Sequence, residues 1–214
     1  MVATLAGRPV SHSSPARQRT VSLAVAHQKG GVGKSTSAAL LAAEIAWLRP
    51  DLTVLVEDHD PDLNLTARWP GDTDQIQLVS PGAGEGHLRI LDTGPGNADQ
   101  LDLLLARADW VLVPVRMEPM STQALGVFLP RLRVLQDANA GTPRLAGFVL
   151  THYVGRIAEH RLALEDLEAF AADQGTTVLG VIPFVAAVGM RLSTRGHHYR
   201  DAAQRLLDAI GMDR

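Results

Sequence analysis

The chain has 214 residues, 46% of them apolar and 20% charged, with no cysteine. These proportions fit an ordinary soluble domain with a sizeable core; they exclude a disordered or fibrous chain, a disulfide framework, thiolate metal sites and iron–sulfur clusters. The formal net charge of −3 is unevenly spread: residues 1–20 carry three arginines and no acid, residues 51–102 carry eleven acids against Arg68 and Arg89, and residues 181–214 carry five arginines against three aspartates.

Residues 1–19, rich in Ser, Pro and Gly, lack periodicity and read as a flexible basic tail ahead of a single domain at 20–214. From there, short apolar runs alternate with longer helical patterns. Val21–Ala26 predicts a buried strand, followed by a glycine loop and a helix over Ser35–Leu48. Thr53–Glu57, Ile76–Val79, Leu88–Leu91 and Trp110–Val115 predict further strands, then a helix spans Thr122–Asp137. Leu145–Leu150 predicts another strand, Arg156–Asp173 a helix, Thr177–Ile182 the last strand and Tyr199–Ile210 the closing helix. This alternation indicates an α/β fold, a mostly parallel sheet covered by helices on both faces. Ligands of such sheets bind at the carboxyl ends of the strands.

The most informative stretch joins the first strand to the first helix: Lys29-Gly30-Gly31-Val32-Gly33-Lys34-Ser35-Thr36. Glycines let consecutive backbone N–H groups face inward, and the following helix adds its positive end, so the loop forms a cradle for polyphosphate. In a P-loop of this kind Lys34 reaches the β- and γ-phosphates, Ser35 ligates Mg²⁺ and Thr36 is placed for the α-phosphate. The strict P-loop has Gly at the position of Gln28, so this is a variant in which Gly30 and Gly31 supply the flexibility. Of 20 basic residues only Lys29 and Lys34 are lysines, and both sit in this loop; a compact ammonium enters a phosphate cradle where a planar guanidinium does not fit. Asp92, at the carboxyl end of an apolar strand, is placed to hold the magnesium shell through water. His59, His152, His197 and His198 lack the paired spacing of a metal site and read as surface or interface residues.

Lys-Gly-Gly-Val-Gly-Lys-Ser-Thr resembles the deviant Walker A of the ParA/MinD ATPases, a P-loop NTPase family whose extra lysine sets it apart. Asp58-His59-Asp60-Pro61-Asp62-Leu63-Asn64 resembles that family's switch I, with Asp62 where Gln is usual, and Ile90–Gly96 resembles its Walker B and the start of switch II. The likeness runs over roughly residues 20–210 with the motifs in order. It implies an ATPase using ATP and Mg²⁺, in which Asp60 positions the attacking water and Lys29 crosses a homodimer interface to the partner's phosphates; Asp58 has a weaker claim on the chemistry, beside the plainer reading that it only orients the switch backbone. Lys29, Lys34 and Asp60 are the implied catalytic residues. Gly30, Gly31, Val32, Gly33, Lys34, Ser35 and Thr36 are the implied nucleotide cradle, and Ser35 and Asp92 the implied metal ligands. The resemblance also makes Arg156 and the loop after Ile182 candidates for contact with adenine.

Within that family the sequence narrows the branch. Over Asp201–Ile210 the closing helix places Ala202, Ala203, Leu206, Leu207 and Ile210 at helical spacing with no Phe or Trp and with two acids against one Arg, which suits core packing and not a membrane anchor. No apolar run approaches the ~20 residues that cross a bilayer, and no secretory leader opens the chain, so a cytoplasmic, nucleoid-associated location is expected. Twenty residues ahead of the first strand leave no room for a helix-turn-helix domain, and the span from Thr66 to Asp92 is short. Both features resemble small ParA-type partition ATPases. The resemblance implies that an ATP-bound dimer binds DNA non-specifically and that a small centromere-binding or cargo adaptor protein stimulates hydrolysis. Arg191, Arg195, Arg200 and Arg205, with Arg156 and Arg161, are candidate phosphate contacts. Two alternatives stand beside that reading: a positioning ATPase for a protein cargo such as a microcompartment, and a metabolic P-loop enzyme of related fold.

Overall fold

The computed structural model describes residues 19–95, 98–116, 119–184 and 197–213. The tail at 1–18, Arg191, Arg195 and most of the loop after Ile182 therefore lie outside the described residues. In chain order the elements are β1 (Val21–Val25), α1 (Lys34–Leu48), β2 (Val54–Asp58), a 3₁₀ turn at Thr66–Arg68, β3 (Ile76–Val79), β4 (Leu88–Asp92) and α2 (Ala98–Leu105). They continue as β5 (Trp110–Arg116), α3 (Pro119–Ala138), β6 (Arg144–Tyr153), α4 (Ala158–Asp173), β7 (Val178–Pro183) and α5 (Arg200–Ile210).

The seven strands form one sheet in the order β3-β2-β4-β1-β5-β6-β7, and every pairing is parallel. Parallel neighbours need crossover connections; α-helices supply most of them, on both faces, while only the 3₁₀ turn intervenes between β2 and β3. Alternation along β1 divides the core. Leu23 and Val25 pack on one side with α1 and α5, including Leu41, Ile45, Leu206 and Leu207. Ala24 and Ala26 pack on the other with α2, α3 and α4, including Leu105, Phe128 and Leu167. Because both faces are covered, the inner strands read as continuous apolar runs.

The connection from β1 through α1 to β2 passes over β4, which lies between them. The carboxyl end of β1 is thus a place where α/β sheets of this topology hold their ligands. Strands β2 and β4 each run one residue past their expected ends, to Asp58 and Asp92. Parallel pairing extends the ladder through these carboxylates although neither side chain favours a strand. Helix α2 is an addition to the expected elements: Leu101 and Leu105 face the core four residues apart while Leu103 is exposed, so the Leu-Asp-Leu-Leu-Leu run masks its own periodicity.

Candidate functional site

The loop from β1 to α1 turns on two glycines in the left-handed region, Gly31 at φ 73° and Gly33 at φ 95°. Gly33 is the N-cap of α1; no side chain caps the helix and no acid stands in its first turn. Its first amides are therefore left for an anion, the arrangement a phosphate cradle requires. The loop is pinned from two strands away, where the buried Thr151 near the carboxyl end of β6 donates its hydroxyl to Val32 O at 2.9 Å. Gly30 and Gly31 are exposed, while Ser35 and Thr36 are half-buried at the start of the helix.

The side chain of Lys34 is buried and its ammonium donates to Lys29 O at 3.1 Å. Burial lowers its pKa, against the opposing pull of Asp92 and Asp60. Those carboxylates are gathered by strand register, which sets Val25 beside Asp92 and Asp92 beside Asp58 at the carboxyl ends of β1, β4 and β2. The backbone then ties the switch segment to β4, as His59 N donates to Asp92 O at 3.0 Å.

The three aspartates sit in different environments. Asp58 organises the turn, accepting Asp60 N at 3.0 Å and both the amide and hydroxyl of Thr66 at 2.8 Å. Asp60 accepts Asp62 N at 3.0 Å and the Asn64 amide at 2.8 Å. Asp92 is fully buried, and among the described residues neither of its carboxylate oxygens has a hydrogen-bond partner. Burial pushes its pKa up to about 7; Asp58 and Asp60 add to the rise, while the nearby Ser35 hydroxyl and Lys34 oppose it. Ser35 is close enough to favour the carboxylate without satisfying either oxygen in a well-formed bond. A buried, orphaned carboxylate next to a hydroxyl and an uncapped helix end fits a site that takes Mg²⁺ together with polyphosphate. Gly94 completes the packing, since a Cβ there would lie 2.5 Å from Asp60 Cα.

The structure thus brings Lys34, Ser35, Asp60 and Asp92 together and sets Lys29 in the same loop, half-buried. Arg156 is exposed beyond the end of β6, and Arg161 donates to Gly155 O at 2.9 Å. Arg200 is occupied within the fold: its guanidinium lies 3.6 Å from the centre of the Trp47 ring and bonds Glu44 at 3.3 Å. Arg205 donates to Val178 O at 3.4 Å. Among the histidines, His59 departs from the expected surface role, because its ring bonds the fully buried Glu57 at 2.7 Å. Glu57 also accepts Gly82 N at 2.7 Å and the Arg89 guanidinium. Burial alone would raise its pKa, but the bonds from His59, Gly82 and Arg89 outweigh burial and bring it to about 2. His27 at the base of the loop is likewise buried. The only sequence signal for either His27 or Glu57 is a polar residue within or beside an apolar strand run.

No helix among the described residues is long and apolar enough to cross a membrane. The pattern of the CobQ/CobB/MinD/ParA nucleotide binding domain matches residues 23–196. The chain is 28% identical to the chromosome-partitioning ATPase Soj of Thermus thermophilus over 65% of this chain and 72% of that protein. Its fold is similar to the ATP complex of a McdA variant from Cyanothece, with a TM-score of 0.74 at 17% identity over 91% of this chain and 98% of the other. It is also similar to cobyrinic acid a,c-diamide synthase from Mycobacterium smegmatis bound to an ATP analogue and magnesium, with a TM-score of 0.70 at 24% identity over 92% and 97%.

Proposed function

This chain belongs to the CobQ/CobB/MinD/ParA family of nucleotide-binding domains, and we propose on that premise that it is a partition ATPase whose ATP-bound dimer holds DNA. It is a ParA/MinD-type P-loop ATPase with ATP and Mg²⁺ as its cofactors. The observation that carries the finer reading is the pair of lysines in one loop: Lys34, buried within the field of Asp60 and Asp92, and Lys29, half-buried five residues before it. The likeness to Soj supports DNA as the track.

In this reading the amides of Gly30, Gly31, Val32, Gly33, Lys34, Ser35 and Thr36 bind the phosphates, and Lys34 leaves Lys29 O to neutralise the terminal ones. Ser35 and Asp92 hold the magnesium shell; the ion, when bound, offsets charge on the β- and γ-phosphates. Asp60, fixed by Asp62 N and Asn64, orients water for attack. Lys29 extends to the phosphates of a second copy and stabilises the charge that develops there. Holding DNA keeps the dimer on the nucleoid, and a small adaptor protein on the cargo accelerates hydrolysis and releases it.

Filter binding of the full chain to random-sequence duplex DNA tests this reading. Affinity is expected only with Mg²⁺–ATP, and it should fall about a hundredfold or more between 50 and 200 mM salt if several phosphates are neutralised. Equal affinity with ATP, ADP and no nucleotide would overturn the DNA role.

A further inference from the structure

Two residues before Lys29 stands His27, buried beyond the end of β1. Its ring lies nearly parallel to that of Phe128 in α3, with planes 14° apart and centroids separated by 6.4 Å. Its Nδ1 accepts the backbone N–H of Lys29 at 2.9 Å. An imidazole nitrogen that accepts carries no proton, so this bond needs neutral His27 with its hydrogen on Nε2. On the other side of the same residue, Lys29 O accepts from Lys34 Nζ at 3.1 Å. Both backbone polar groups of Lys29 are therefore clamped, one by an imidazole and one by an ammonium.

The two clamps do not persist equally. Lys34 is the cation that the terminal phosphates draw toward themselves, and an anionic phosphate oxygen is a stronger acceptor than a peptide carbonyl. His27 is buried at the base of the loop, where a phosphate oxygen does not reach its ring. Once Lys34 turns to the phosphates, the Nδ1 bond remains to define where the Lys29 side chain departs from the loop.

We propose that His27 is a positioning residue for Lys29: its Nδ1 fixes the Lys29 peptide so that the ammonium is aimed out of the loop at the phosphates of the second copy. This rests on the reading of Lys29 as a cation acting across the dimer. A cation in a transition-state role loses effect steeply with misplacement, of order a hundredfold for about 1 Å. A ring that merely filled space beside Phe128 would carry no such sensitivity.

The test is a cycle of steady-state ATP hydrolysis on the full chain, with kcat and KM measured for His27→Leu and His27→Asn, each with and without Lys29→Ala. His27→Leu keeps the bulk and removes the acceptor, so kcat is expected to fall about tenfold with KM within about twofold. The Asn side-chain oxygen lies where Nδ1 lies, so His27→Asn should recover most of that loss. With Lys29→Ala already present, His27→Leu should cost nothing further. Thermal melting accompanies each variant, and His27→Met serves as the acceptor-free change if His27→Leu does not fold. Additive losses, a rise in KM at constant kcat, or a His27→Asn variant as slow as His27→Leu would overturn the proposal. Unchanged turnover in Lys29→Ala would remove the cross-dimer reading and this proposal with it. A slow Lys29→Ala beside a normal His27→Leu would remove the role of His27 alone.

Discussion

Asp92 carries a conflict between stability and function in one side chain. Its carboxyl is buried without a hydrogen-bond partner among the described residues, and burial pushes its pKa up from 3.8 to about 7. The folded protein therefore binds a proton more tightly than the unfolded chain. Stability from this group is fully present below the unfolded value and is lost as pH rises toward 7, after which the dependence is flat. Glu57 has the opposite sign: with a folded value of about 2 against 4.5, its contribution is present above 4.5 and disappears toward pH 2. Between pH 4.5 and 7 the slope from these groups belongs to Asp92. Asp92→Asn should abolish that slope and stabilise the nucleotide-free protein at pH 8 by at least about 1 kcal/mol, or roughly 2–4 °C in Tm. The same change should destroy Mg²⁺-dependent hydrolysis. Urea or thermal unfolding of both proteins across pH 4–8 measures it, and an unaltered slope in the variant would show that Asp92 does not titrate in this range.

Among the elements, α5 depends on a missing Cβ. Gly180 of β7 has no special backbone angle, yet a Cβ there would lie 2.6 Å from Ala202 Cβ and 3.3 Å from Ala202 Cα. Helix α5 rests there through Ala202, Ala203, Leu206, Leu207 and Ile210. Gly180→Ala should push the helix outward and cost about 1–3 kcal/mol. Ala202→Gly added to it should restore part of that loss, limited by about 1 kcal/mol for glycine inside a helix. Denaturant titration of the single and double variants decides this, and strictly additive losses would mean that the two positions do not meet. Such a contact lies beyond the reach of sequence, because it joins residues on different elements. Local patterns were legible: the strand runs, the glycine loop from Lys29 to Thr36 and the apolar face of α5 each declare themselves within a dozen residues. Helix α2 did not, because adjacent leucines carry no period. Asp60 and Asp92 were legible as carboxylates after strands, whereas Glu57 and His27 take their meaning from Arg89, Gly82 and Phe128, which are distant in the chain.

For the whole molecule, charge decides how two copies can meet. The segment 51–102, which carries Asp58, Asp60 and Asp92, holds eleven acids against two arginines; strand register brings Asp58 and Asp92 to one end of the sheet, and Asp60 follows two residues after Asp58. Two such ends repel each other, and each also repels a triphosphate, with Lys34 as the buried cation set against them. A copy that contributes Lys29 across the interface changes both terms, since its ammonium neutralises the partner's phosphates while those phosphates screen the facing aspartates. On the proposed reading, association is expected to require nucleotide and to require Lys29. Asp60→Ala, which removes the residue assigned to water attack, should hold this state long enough to measure. In size-exclusion chromatography with light scattering, that variant should run at twice the protomer's mass with Mg²⁺–ATP and as a monomer with ADP. Adding Lys29→Ala should return it to a monomer in both. An Asp60→Ala chain that stays monomeric with saturating Mg²⁺–ATP, or a dimer indifferent to Lys29, would mean that the phosphates are neutralised within a single chain.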